Sequence, residues 1–163
     1  MFAMVGLSLA LGTLAGGATG PCDVLARETA VQLLGQPLTA VEPSGPAPDE
    51  DSPSPATRTT CVYQAGIRVL IVTTLTFSSA AAARETTTRE LLTEQLEEEE
   101  GARVTEEPGL GDKAYWGLNE RTAEYIVLKG PKVMGVILGG MPKPPAMYQV
   151  PLRAVAASAA SKL

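Results

Sequence analysis

The sequence predicts an α+β domain, an antiparallel sheet packed on one face by helices, and three observations carry that prediction. Residues 61–77 form the densest block of β-branched and apolar side chains in the chain, and they alternate. From residue 113 to 138 the apolar runs are short and are cut by Asn, Gly and Pro at turn spacing. Two other segments, near 23–34 and 152–163, repeat their apolar residues at helical spacing.

The organising strand comes first. From Ile67 onward, Ile67, Val69, Ile71, Thr73, Leu75 and Phe77 point one way, and Arg68, Leu70, Val72, Thr74 and Thr76 the other. Gly66 is the place where the longer run from Cys61 can divide into a hairpin. Upstream, Asp23 can cap a helix to about Leu34 that presents Ala26, Ala30, Leu33 and Leu34 on one face. Gly35 stops it, and Pro37 follows. Residues 41–57 hold five prolines and the acids Asp49, Glu50 and Asp51, with nothing apolar larger than Ala after Val41, so a solvated Pro/acidic loop is expected there.

After the strand, Ser78 or Ser79 caps a second helix through Leu96, with Ala81, Thr88, Leu92 and Leu96 inward and Leu91 beside them. Glu97 to Glu100 then stand at a helix C-terminus, where the macrodipole favours cations, so the last turn is expected to fray. Three short antiparallel strands follow: 113–118, a turn at Asn119–Glu120–Arg121, 122–129, a turn at Gly130–Pro131, and 132–138. Gly109 and Gly111 have the look of a phosphate cradle, but no helix follows to receive an anion. An exposed GGMPKPP loop leads into the last helix, striped by Leu152, Val155, Ala156, Ala159 and Leu163. The expected order is helix, strand or hairpin, helix, three strands, helix, within a single domain over 22–163.

Composition excludes more than it proposes. A chain of 163 residues suits one hydrophobic core. A net charge of −5 with no basic stripe argues against nucleic acid, whose phosphates need Lys and Arg. Histidine is absent, which removes Ser-His, Cys-His and His-metal chemistry. Six Glu between 97 and 107 lack the alternating oxygen donors of a calcium loop, so no metal or cofactor is expected.

All 13 Lys and Arg and all 18 Asp and Glu lie beyond Cys22. Residues 1–20 are an apolar core followed by small residues, the pattern of a signal peptide with a cut after Gly17, although no basic residue opens it. The alternative is a retained glycine-rich N-terminal anchor, the one route to a membrane in this sequence. Either reading gives a secreted or extracytoplasmic place in the cell envelope. Cys22 and Cys61 are the only thiols, and in an exported chain an even count implies a disulfide. Lipidation of Cys22 is the other reading, and Thr19-Gly20-Pro21 fits it poorly.

Cys22 before a helix ending Leu33-Leu34-Gly35, Cys61-Val-Tyr63 opening a strand, Gly109-Leu-Gly-Asp-Lys-Ala-Tyr115, Leu128-Lys-Gly130 and an alanine-rich terminal helix together give the chain a familiar outline. It resembles small secreted proteins and lipoproteins of unknown function from actinobacteria and other bacteria. That resemblance implies an antiparallel sheet packed by helices, somewhat like the PsbP-like fold, with its two cysteines bridged. It implies no catalytic or ligand residues.

The functional expectation is a non-enzymatic extracytoplasmic binding or interaction module, with an envelope protein or a small apolar ligand as partner. Trp116 and Tyr125 on neighbouring strands are the candidate binding surface, on a sheet face left open by the helices. Two alternatives stand beside it. One is a hydrolase working by carboxylates alone, for which Glu124 is the one acid expected inside a strand. The other is a membrane-anchored structural protein.

Overall fold

The computed structural model describes residues 20–88, 92 and 102–163. Its centre is a seven-stranded sheet in which every neighbouring pair is antiparallel, in the order β1-β2-β3-β7-β6-β5-β4. The strands are β1 (Ala40–Pro48), β2 (Ala56–Ala65), β3 (Arg68–Phe77), β4 (Arg103–Glu106), β5 (Lys113–Leu118), β6 (Thr122–Lys129) and β7 (Lys132–Gly139). Two meanders, β1–β3 and β4–β7, join through their last strands, so that β3 and β7 lie side by side in the middle. Three helices have both ends among the described residues, α1 (Arg27–Leu34), α2 (Ala80–Thr86) and α3 (Gln149–Ala160), the last preceded by a 3-10 turn over Pro145–Tyr148.

The alternation expected from Ile67 holds from Arg68 on; Ile67 itself lies in the turn before β3 and is exposed. Leu70, Val72 and Thr74 are buried on one face, while Val69, Ile71, Thr73 and Leu75 are half-buried on the other. Gly66, at φ +61°, makes the tight turn that divides β2 from β3. Asn119 closes the next hairpin with its side chain, Oδ1 accepting from Arg121 N at 2.8 Å and Thr122 N at 2.7 Å.

Three expectations are corrected. First, residues 40–48 are a strand and not part of a solvated loop; only the connection after Pro48 is irregular. Its prolines are tolerated because β1 is the sheet edge, where alternate N–H groups face solvent and are not needed by the ladder. A bulge between Ser44 and Ala47 accommodates the cis Gly45–Pro46 bond. Second, β4 adds a short edge strand at 103–106, so Glu106 and, in β1, Glu42 join Glu124 as carboxylates within strands. Third, helices occupy both faces. α1 and α3 pack on the Leu70/Val72/Met134/Val136 face, whereas Ala82 and Ala83 of α2 pack against Phe77, Leu128 and Val133 on the opposite one.

α2 is also shorter than expected. Ser79 caps it, its Oγ accepting from Ala82 N at 3.1 Å, but the helix closes at Thr87. Its inward residues are Ala83 and Thr87, and Ala81 faces out. Leu92, helical again and with its N–H on Thr88 O at 3.1 Å, is buried beyond it against Val104 and Tyr115; Leu91, Leu96 and Glu97 to Glu100 lie outside the described residues.

Asp23 does not cap α1. Its carboxylate accepts from Gly20 N at 2.6 Å, and the helix begins after Ala26 with no side-chain cap. Gly35 stops α1 at φ 70°, a left-handed backbone open to glycine. Cys22 and Cys61 form the disulfide, tying the chain just before α1 to the middle of β2. Tyr63, two residues on and on the same face, donates its hydroxyl to the carbonyls of Cys22 and Leu25, each at 3.0 Å. At the other end of the chain Lys162 Nζ reaches Asp23 O at 2.9 Å. Of the predicted terminal stripe, Leu152, Val155, Ala156 and Ala159 are buried, and Leu163 is partly so.

Candidate functional site

The two aromatic residues expected on an open surface are in the core. Trp116 is 5% exposed and Tyr125 is not exposed at all. They are cross-strand partners on β5 and β6, with ring centroids 4.9 Å apart at 43°. They sit in the cluster that includes Leu152, Val155 and Ala156 of α3. The pair therefore packs under a helix in this structure and offers no surface to a partner.

The opening lies on the other face. α2 covers only part of that face, because the helix is short and docks over Phe77 and Val133 at one end of β3 and β7. Beside it a groove of about 290 Å³ runs across the middle of the sheet. Its floor is Thr73 and Leu75 from β3, Val133, Gly135 and Ile137 from β7, and Ile126 and Glu124 from β6. Thr86, Thr87 and Leu92 form one wall, and the β1–β2 connection with Arg58 forms the other. The register brings these together: Thr73 pairs with Gly135 and Gly135 with Ile126, one row across three strands.

Gly135 sets the depth of that row. It sits in the central strand with no positive φ, so its backbone asks for no glycine, and a Cβ built there would meet no described atom within 4 Å. A glycine in such a place removes strand propensity and packing area, and what it leaves is space. Gly140 shows the contrary case. At φ +67° it stands where a Cβ would run into the backbone carbonyl of Ile67.

The wall at residues 49–53 is polar. Asp49 lies with Oδ1 3.3 Å from Arg58 Nη1, and Asp51 Oδ2 is 3.6 Å from the same nitrogen. The Asp49 side chain is 6% exposed, that of Arg58 44%. Although close to Arg58, Asp49 Oδ1 is outside hydrogen-bonding geometry, and neither it nor the buried Ser52 Oγ has a hydrogen-bond partner among the described residues. Glu124 faces the groove from β6, its side chain folded over Gly117 on β5, where a Cβ would come within 2.8 Å of Oε1.

Sequence reasoning reached Glu124 but put the open face on the opposite side of the sheet, and it missed Gly135, Ser52 and Asp49 as one place. A Gly breaking the run Val133-Met134-Gly135-Val136 was the available signal, because an interior strand glycine marks a bulge or a close approach. Among the described residues no group of His, Cys, Asp and Glu is arranged to hold a metal ion. No described helix is long and apolar enough to cross a membrane.

No protein-family model matches the chain, and no curated protein does. The family resemblance drawn from its motifs therefore remains an expectation. Among solved structures, the extracellular domain of PknH from Mycobacterium tuberculosis is similar with a TM-score of 0.49 and 13% identity, over 85% of this chain and 92% of that one. The likeness is too distant to carry a property from that domain to this chain.

Proposed function

We propose that the chain is a non-enzymatic extracytoplasmic binding module that takes a small, largely apolar ligand in the groove over Gly135. The observation that carries this reading is the glycine itself, a position left unfilled by the described residues at the centre of a largely aliphatic sheet face. A groove of about 290 Å³ sits at the lower end of the size of small-molecule sites, and its floor is mostly aliphatic. The disulfide supports a place outside the cytoplasm, where such bonds persist.

The test is a neutral fluorescent probe, N-phenyl-1-naphthylamine, titrated into the wild type and into Gly135→Leu. Saturable binding that the leucine abolishes, with an unchanged far-UV spectrum, is the expected result. Equal binding by both proteins would remove the groove from the account. A carboxylate hydrolase is the second reading, favoured by Glu124 in the groove lining. It requires turnover of generic esters or glycosides that disappears in Glu124→Gln.

A further inference from the structure

The polar wall specifies one end of the ligand. Two carboxylates, Asp49 and Asp51, share a single guanidinium, and that guanidinium is itself 44% exposed. Among the described residues the more buried of the two presents an oxygen with no hydrogen bond, and the same wall holds a serine hydroxyl in that condition. Unpartnered buried acceptors are costly, and the cost is relieved by a donor. The net charge at this wall is negative, so a donor that carries positive charge fits better than a neutral one, and an anion is repelled. Across the groove the lining changes to Leu75, Ile126, Val133 and Ile137, with the Glu124 carboxylate next to Ile137 on the neighbouring strand.

We infer that the groove selects a cationic amphiphile, a molecule with an aliphatic or aromatic body over Gly135 and a primary ammonium head against Asp49 and Ser52. Asp49 and Ser52 are then the residues that determine which head is accepted, and Gly135 the one that admits the body. The inference rests on the binding reading given above but can fail separately from it.

Octylamine, octanol and octanoate share one body and differ in charge at the head, so displacement of bound N-phenyl-1-naphthylamine by the three separates the two claims. Octylamine is expected to displace the probe at about tenfold lower concentration than octanoate, or better, since charge-assisted hydrogen bonds are the stronger class. Raising ionic strength should narrow the gap. Asp49→Asn keeps the side-chain shape and the backbone bond from Asp49 N to Ala56 O, and it should bring octylamine close to octanol; Ser52→Ala should do so in part. Equal displacement by all three in the wild type would overturn the ammonium inference while leaving an apolar site in place. Unchanged selectivity in Asp49→Asn would overturn it too. Failure of the probe to bind at all, or binding that Gly135→Leu does not alter, would overturn both claims together.

Discussion

Two tyrosines on the same sheet face do different work. The hydroxyl of Tyr63 donates to two carbonyls just ahead of α1, whereas that of Tyr125 is buried beside Gln149 without a well-formed hydrogen bond among the described residues. Burial raises the pKa of both above the ordinary value of 10.0, with the nearby charges of Asp23 and Glu107 adding to it. Below about pH 10 each phenol is protonated folded or unfolded. As pH rises past that value the unfolded chain loses its protons first, the native state then holds more, and stability falls. We expect Tyr63→Phe to cost about 1 to 2 kcal/mol at neutral pH, because it strands carbonyls that were bonded. Tyr125→Phe should lie within about 0.5 kcal/mol of wild type or above it, since the approach of its hydroxyl to Gln149 falls short of hydrogen-bonding geometry. Both variants should lose less stability than wild type between pH 9 and 11. Urea unfolding at the two ends of that range measures all of this; a large neutral-pH loss in Tyr125→Phe would reveal a partner for its hydroxyl.

At the level of elements, the disulfide holds α1 to the sheet. The cysteines are 39 residues apart, and a loop of that length is worth ~3 to 4 kcal/mol in the chain-entropy model. That is a large part of the ~5 to 15 kcal/mol by which a domain is stable. Cys61→Ala should therefore lower stability by ~2 to 5 kcal/mol, and reduction should lower the melting temperature. Native material with two alkylatable thiols, or reduced protein melting with the oxidised, would contradict this. The strands flanking Asn119 and Gly130 were legible from the sequence, because turn residues with fixed chemistry bracket alternating runs. β1 was not legible: an edge strand carries little apolar signal, and three prolines hide it. Helix length misled only at the far end of α2, where alanine supplies propensity but little area to bury, so that packing at Ala83 and Thr87 decides which face turns in.

At the scale of the whole molecule, what escaped prediction was the assignment of layers. Amphipathic stripes tell a helix to pack but do not name the sheet face that receives it, and both faces of this sheet carry apolar residues at its centre. Placing every helix on one side left Trp116 and Tyr125 on an imagined surface, whereas α3 covers them and the opening falls across from them. Chain order carried no notice of that exchange, since the crossing from β3 to β4 spans the full width from the centre of the sheet to its far edge.

The junction of the two meanders has a consequence for assembly. Each meander ends on the strand that the other needs: β3 closes the first, β7 the second, and eight residue pairs zip them together from Val69↔Gly139 to Thr76↔Lys132. Separated, each half would be left with an unpaired, apolar strand at its margin. Peptides 20–88 and 102–163, expressed apart, should thus behave as complementing fragments, soluble and ordered as a mixture and aggregation-prone alone. Fused to the halves of a reporter enzyme they would make a split pair whose reconstitution reads out β3–β7 pairing, and a charged residue in place of Val72 or Val136, buried partners on those strands, should silence it.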